Sequence, residues 1–300
     1  MSISVAGLTK LYTTQKAVDD ITFDVKPGEI LGFLGPNGAG KSTTMKILTG
    51  YIPQTSGFAS VCNFDVSKQS RDVKRVIGYL PEHNPLYTDM YVKEYLAFVA
   101  GLYQLKEVSK KVARMVELTG LQVEQHKKIG QLSKGYRQRV GLAAAMIHDP
   151  KVLILDEPTS GLDPNQIMEI RQVIKNAGSD KTVILSSHIM QEVQAMCNRV
   201  IIINKGKIVA NDKIELLQRI NPTQFIFLVE FDQAIRVSDI EKIATVERVR
   251  KMNDTTVTIT AGSDMRNALF EYAVKNKLAI KTLQEEKQSL EDVFHQLTQN

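Results

Sequence analysis

The chain has 300 residues, 43% of them apolar and 24% charged, with a formal net charge of +5. That length can bury a sizeable core and allows more than one domain, and the composition excludes bulk disorder. The mild basic excess suits a nucleotide, a nucleic acid or an anionic surface alike, while the longest apolar runs, LAAAMI and VLIL, fall far short of the roughly 18–20 residues of a membrane helix.

In chain order, SISVA (2–6) and ITFDV (21–25) alternate and predict strands, with KPGE (26–29) a turn. ILGFLG (30–35) reads as a short buried strand, and KSTTMKILTG (41–50) as a helix stopped by Gly50. From about residue 83 to 148 the pattern is mainly helical: YVKEYLAFVAGLY, SKKVARMVELTG, then RQRVGLAAAMIH. VLILD (152–156) and TVILSS (182–187) are again buried strands, NQIMEIRQVIKNAG and IMQEVQAMCN amphipathic helices, and RVIIINKGKIVA (199–210) a hairpin around Asn204-Lys205-Gly206. Alternating strands and helices predict an α/β core with a mainly parallel sheet, interrupted by a helical subdomain and preceded by a small antiparallel piece.

Asn221-Pro222 marks an expected boundary between residues 1–220 and a second domain at 222–300. Beyond it the pattern restarts as strand, helix, strand, helix, strand, helix, which predicts a small α+β domain of ferredoxin-like type. This part carries 10 Lys and Arg against 12 Asp and Glu, so the basic excess belongs to the first 221 residues. It forms no basic stripe, and no nucleic-acid partner is expected. The two cysteines, Cys62 and Cys197, lie far apart without zinc-site spacing and point to a reducing compartment. The start, MSISVAGLTK, lacks the basic-then-apolar pattern of a leader.

The chemistry concentrates in two places. Residues 35–43, GPNGAGKST, have the form G-x-x-x-x-G-K-S between a buried strand and a helix, the context of a phosphate-binding loop. Within Gly35-Pro36-Asn37-Gly38-Ala39-Gly40 the glycines let the backbone wrap closely around phosphates, the amides of Gly38, Ala39, Gly40 and Lys41 point inward as donors, and the helix start adds partial positive charge. Lys41 would reach the β- and γ-phosphates, the Ser42 hydroxyl would ligate Mg²⁺, and Thr43 completes the loop. In VLILDEP an apolar strand delivers Asp156 and Glu157 at its C-terminal end, where α/β sheets place ligands. Asp156 would hold Mg²⁺ through water, and Glu157 would be the base for an attacking water.

A phosphate loop, then LSKGYRQR (132–139), then VLILDEP, SGLDP and SSH, in that order, resembles the ATP-binding subunits of ABC transporters over residues 1–215 or so. The resemblance implies a P-loop NTPase core, ATP and Mg²⁺ as cofactors, and two subunits stacked head to tail as a homodimer. In that arrangement Ser133 and Gly135 of one copy contact the γ-phosphate held by the other. It further implies that Tyr12 stacks on adenine, that Ser160-Gly161-Leu162-Asp163 couples the two sites, and that His188 bonds the γ-phosphate. Lys134 and Tyr136 replace the usual glycine and glutamine of the signature. In GYLPEHNPLY, Glu82 stands where the family has glutamine, a position that senses Mg²⁺. The stretch 83–105, with Tyr87, Tyr91, Tyr95, Phe98 and Tyr103, corresponds to the family's surface for a polytopic membrane permease.

The extra domain ending in SLEDVFHQLT is similar to the ABC-2 exporter branch, and the residues between the motifs look most like its gliding-motility-associated subunits. The expected function is ATP hydrolysis that powers export, from the cytoplasm, peripheral on the inner face of the cell membrane. An importer subunit, or an ABC ATPase of translation or DNA repair, is the alternative. The translation type carries two ATPase units per chain and the repair type a long coiled coil. This chain has one phosphate loop and no sustained heptads.

Overall fold

The computed structural model describes residues 1–218, 225–285 and 290–298. It separates into two compact units, Met1–Asp212 and Lys213–Asn300. The Asn221-Pro222 boundary expected from the sequence lies outside the described residues.

The first unit runs through β1 (Ile3–Tyr12), β2 (Gln15–Val25), β3 (Ile30–Leu34), α1 (Lys41–Leu48), β4 (Ser56–Val61), β5 (Phe64–Asp65), α2 (Ser70–Val76) and β6 (Ile77–Leu80). It continues with α3 (Val92–Leu102), α4 (Val108–Leu118), a 3₁₀ turn at Ile129–Gln131, α5 (Lys134–Met146) and β7 (Val152–Asp156). It closes with α6 (Pro164–Ala177), β8 (Thr182–Ser187), α7 (Met190–Met196), β9 (Arg199–Asn204) and β10 (Lys207–Lys213).

Two sheets form: an antiparallel one ordered β2-β1-β4-β5, and a six-stranded one ordered β10-β9-β3-β8-β7-β6. In the second, the pairings β9-β3, β3-β8, β8-β7 and β7-β6 are parallel. Strands covered on both faces read as unbroken apolar runs; every residue of β7 and of β8 is buried. The core runs from Val5, Leu8 and Ile21 of the antiparallel sheet to Phe33, Ile154, Ile184 and Ile201 of the parallel one, with Met45 and Leu48 of α1 among them. Phe23 and Phe33 meet across it at 5.7 Å between ring centroids. Helices α3, α4 and α5 pack on one another and make the predicted helical insert.

The sequence predicts no element between residues 51 and 82, where the structure places β4, β5, α2 and β6. β4 (SGFASV) is half serine and glycine, and α2 (SRDVKRV) buries only Val73. Neither advertises itself by periodicity; their partners in space define them.

The second unit comprises α8 (Ile214–Leu217), β11 (Phe225–Phe231), α9 (Val237–Ile240), β12 (Val246–Lys251), β13 (Thr256–Ala261), α10 (Arg266–Lys275), β14 (Ile280–Glu285) and α11 (Leu290–Thr298). The strands pair antiparallel in the order β12-β13-β11-β14. This is the expected ferredoxin-like βαββαβ arrangement, and its core is built on Phe227, Val229, Phe231, Ile259 and Leu269. β12 (VERVRK) escaped the sequence reading because it is an edge strand with no fully buried residue. Among the described residues no helix is long and apolar enough to cross a membrane.

Candidate active site

The turn between β3 and α1 lies at the C-terminal end of the parallel sheet, and its shape depends on glycine. Gly38 and Gly40 sit in the left-handed region, at φ 78° and 111°. A Cβ at Gly40 would lie 2.5 Å from the Ala17 carbonyl oxygen, and one at Gly35 would lie 2.4 Å from that of Ile203. The loop is anchored from the β9–β10 hairpin, where Gly206 N–H donates to Ala39 O at 3.0 Å. Lys41, Ser42 and Thr43 open α1, so their N–H groups have no preceding helical carbonyl to bond and are left for a ligand.

Lys41 is 6% exposed and folds back over the loop, donating to Gly35 O at 2.7 Å and Pro36 O at 3.2 Å. Its Nζ lies 3.7 Å from Glu157 Oε1. Burial pushes the ammonium below its ordinary value, while the carboxylates of Glu157, Asp156 and Glu82 pull it back up.

Asp156 ends β7 at 1% exposure, where Oδ1 accepts from Ser42 Oγ at 3.2 Å and from Ser186 Oγ at 2.6 Å. Ser186 Oγ in turn accepts from Glu157 N–H at 2.9 Å. One serine on β8 therefore fixes both acidic positions. The sequence reading did not assign it; its signal was a hydroxyl inside a wholly buried strand. Glu157 adopts φ 49°, an uncommon conformation for a residue with a side chain. It aims its carboxylate at His188, whose Nδ1 lies 2.8 Å from Glu157 Oε2. A cavity of about 340 Å³ opens here, lined by residues 37–43 with Glu82, Glu157, Ser160 and His188.

Three carboxylates, from Glu82, Asp156 and Glu157, thus surround one ammonium. That surplus of negative charge and the hard oxygen donors of Ser42 and Asp156 fit a divalent cation such as Mg²⁺. Among the described residues no group of three or more His, Cys, Asp or Glu could hold a metal alone. Phosphate oxygens would have to complete its shell, as is usual for Mg²⁺.

Other predicted residues lie elsewhere. Tyr12 ends β1 with 47% exposure and with Lys10 Nζ 5.1 Å from its ring centroid. Ser133 caps α5, its Oγ accepting from Tyr136 N–H at 3.4 Å. Gly135 packs so closely on α6 that a Cβ would lie 2.4 Å from the Gln166 side chain. Asp163 caps α6, accepting from Gln166 N–H at 3.0 Å. None of these four lines the cavity beside Lys41. A second cavity, of about 620 Å³, runs from Ser42, Glu82 and Asp156 to Tyr95, Val99 and Tyr103. On its outer side Tyr87 packs edge-on against Tyr95 at 6.0 Å and stays 56% exposed.

The chain is similar to known proteins over nearly its whole length. Residues 18–160 match the family model described as ABC transporter. The bacitracin transport ATP-binding protein of Bacillus licheniformis is 33% identical, over 98% of this chain and 96% of its own. The linearmycin resistance ATP-binding protein of Bacillus subtilis (strain 168) is also 33% identical, over 99% and 98%. A solved structure of the ATP-binding subunit of an ABC transporter superposes with a TM-score of 0.67 at 28% identity, covering 73% of this chain and 92% of that one. A dimeric ATP-binding cassette bound to ADP and Pi superposes at 0.66, over 71% and 98%; at 24% identity it supports the fold alone.

Proposed function

The chain belongs to the ABC transporter family as an ATP-hydrolysing, ATP-binding subunit, and we propose that two copies close head to tail around two ATP molecules to power export through a separate membrane permease. The observation that carries this reading is the position of the signature. Ser133 and Gly135 sit at the start of the 13-residue helix α5, a natural anion site, yet they do not line the cavity of their own chain. A second copy, turned to face the first, supplies them to the γ-phosphate. Asp163, capping α6 beside Gln166, belongs to the same face and couples the two sites. Tyr12 stacks on adenine.

In hydrolysis, Glu157 accepts a proton from the attacking water as its oxygen bonds to the γ-phosphorus, and ADP departs with the bond that breaks. His188 holds the Glu157 carboxylate through Nδ1. A neutral ring donating from Nδ1 has a bare Nε2, so it bonds a phosphate oxygen at the same time only as an imidazolium. Ser42, Asp156 and Glu82 would hold Mg²⁺, which would supply positive charge against the phosphates. Glu82 adds a negative charge that a glutamine would not. The expected result for Glu82→Gln is a shifted Mg²⁺ requirement and a changed Mn²⁺-to-Mg²⁺ rate ratio, read from ATPase rates across metal titrations. No change in either turnover or metal response would place Glu82 outside the metal shell.

Export is supported by the bacitracin and linearmycin relatives, named for transport and for resistance, which match this chain including its second unit. They fit the ABC-2 branch; the finer likeness to gliding-motility subunits rests on the residues between the motifs. The larger cavity and the exposed aromatics Tyr87, Tyr91 and Phe98 form the permease-docking face, which holds the protein peripherally at the inner face of the membrane. Co-purification of the tagged protein from detergent-solubilised membranes tests this. A polytopic membrane protein at fixed stoichiometry is expected. Recovery with ribosomes or soluble partners alone would move the ATPase to a non-transport role.

A further inference from the structure

We infer that the buried Glu192 carboxylate is a positioning residue for ATP hydrolysis, tying the turn after Glu157 to the loop that carries His188. The inference rests on the roles proposed above for Glu157 and His188. Glu192 lies in the first turn of α7 and is 1% exposed. A carboxylate is costly to keep at that depth, and here hydroxyls hold it. Its Oε2 accepts from Thr159 Oγ1 and from Ser187 Oγ, the latter at 3.4 Å. Its Oε1 has no hydrogen-bond partner among the described residues. Both hydroxyls belong to buried residues, each 1% exposed.

The two hydroxyls lie where they matter. Thr159 is two residues beyond Glu157, in a turn that Ser160 N–H closes onto Glu157 O at 3.2 Å. Ser187 directly precedes His188; its Oγ accepts from Ile189 N–H at 3.0 Å, and its single proton is shared between Ile189 O at 3.5 Å and Glu192 Oε2 at 3.4 Å. Glu157 holds φ 49°, and such a backbone persists only where its surroundings fix it from both sides. Ser186 fixes the near side through Glu157 N–H. Glu192 fixes the far side through Thr159 and, by the same oxygen, the base of the His188 loop. The 2.8 Å approach of His188 Nδ1 to Glu157 Oε2 is the product of both anchors.

The test measures kcat and KM for MgATP hydrolysis, ATP affinity and Tm in the purified full chain, for Glu192→Ala, Glu192→Gln and Thr159→Val. Misplacing a catalytic pair by about 1 Å costs up to about 100-fold. For Glu192→Ala and Thr159→Val the expected loss is therefore about 10- to 100-fold in kcat, with KM and ATP affinity within about twofold. Glu192→Gln keeps one acceptor oxygen and recovers part of the rate. In a His188→Ala background, Glu192→Ala is expected to cost several-fold less than in the parent, because its His188 branch no longer matters and only the Glu157 branch through Thr159 is left. An unchanged kcat in Glu192→Ala, a parallel loss of kcat and ATP affinity, or an undiminished cost in the His188→Ala background overturns the inference. Glu157→Gln run alongside separates the cases: if that variant hydrolyses ATP rapidly, the parent assignment of the base fails instead.

Discussion

Lys41→Ala is expected to lower ATP affinity by about 10²- to 10⁴-fold. Charge-assisted hydrogen bonds are worth about 1.5–3 kcal/mol each, and one ammonium reaching both the β- and γ-phosphates makes two of them; 1.4 kcal/mol is about tenfold in affinity. The side chain is already placed for this, at 6% exposure, folded over the loop onto Gly35 O and Pro36 O. Binding ATP exchanges carbonyl oxygens for phosphate oxygens and leaves the ammonium between the nucleotide and Glu157. Removing it also leaves Asp156, Glu157 and Glu82 facing the phosphates with no fixed cation among them. Lys41→Arg is not expected to rescue binding, since the planar guanidinium is larger and cannot act as a compact point charge. Equilibrium titration with ATP, alongside a thermal melt to confirm folding, gives the answer. A folded Lys41→Ala protein that binds ATP within about tenfold of the parent would mean that the loop is not the phosphate cradle.

The parts of this site that the sequence made legible are those whose chemistry is local. The phosphate loop is contiguous, and Gly38 and Gly40 hold the left-handed backbone, at φ 78° and 111°, that favours glycine. β7 and β8 announce themselves because strands covered on both faces read as near-continuous apolar runs, so the two acids that close VLILDE stand out. What stayed hidden joins distant segments. Ser186 reaches Asp156 across 30 residues, and Thr159 meets Glu192 across 33. Neither distance leaves a periodicity to detect. The left-handed backbone at Glu157 is likewise invisible, since no glycine marks it. In the fold, β4 and α2 bury too few side chains to set up a periodicity, and β12 is an edge strand without a buried residue. The signature shows the limit most clearly: Ser133 and Gly135 are readable as motif residues, but neither lines the cavity beside Lys41.

Glu157→Gln is expected to separate binding from turnover. A positioned general base contributes about 10²- to 10⁴-fold, and an amide cannot take the proton of the attacking water, so kcat should fall by that factor. The protein should still fold. The uncommon φ of 49° is held by Ser186 Oγ on the backbone N–H, a contact that the substitution leaves in place. The amide oxygen can still accept from Lys41, now 3.7 Å from Glu157 Oε1, or from His188. ATP affinity should stay equal or rise, because one of three negative charges facing the γ-phosphate has been removed. With binding intact and hydrolysis slow, the closed pair of subunits has no exit, and MgATP should convert the variant from monomer to a long-lived dimer on size exclusion while ADP should not. The same experiment on a Glu157→Gln, Gly135→Trp double variant should show no dimer, since a bulky side chain at Gly135 meets Gln166 and fills the surface offered to the partner's ATP. Turnover within about tenfold of the parent in Glu157→Gln would remove Glu157 from the role of base. A dimer that forms without nucleotide would detach subunit closure from ATP binding, and with it the route by which hydrolysis is coupled to the permease.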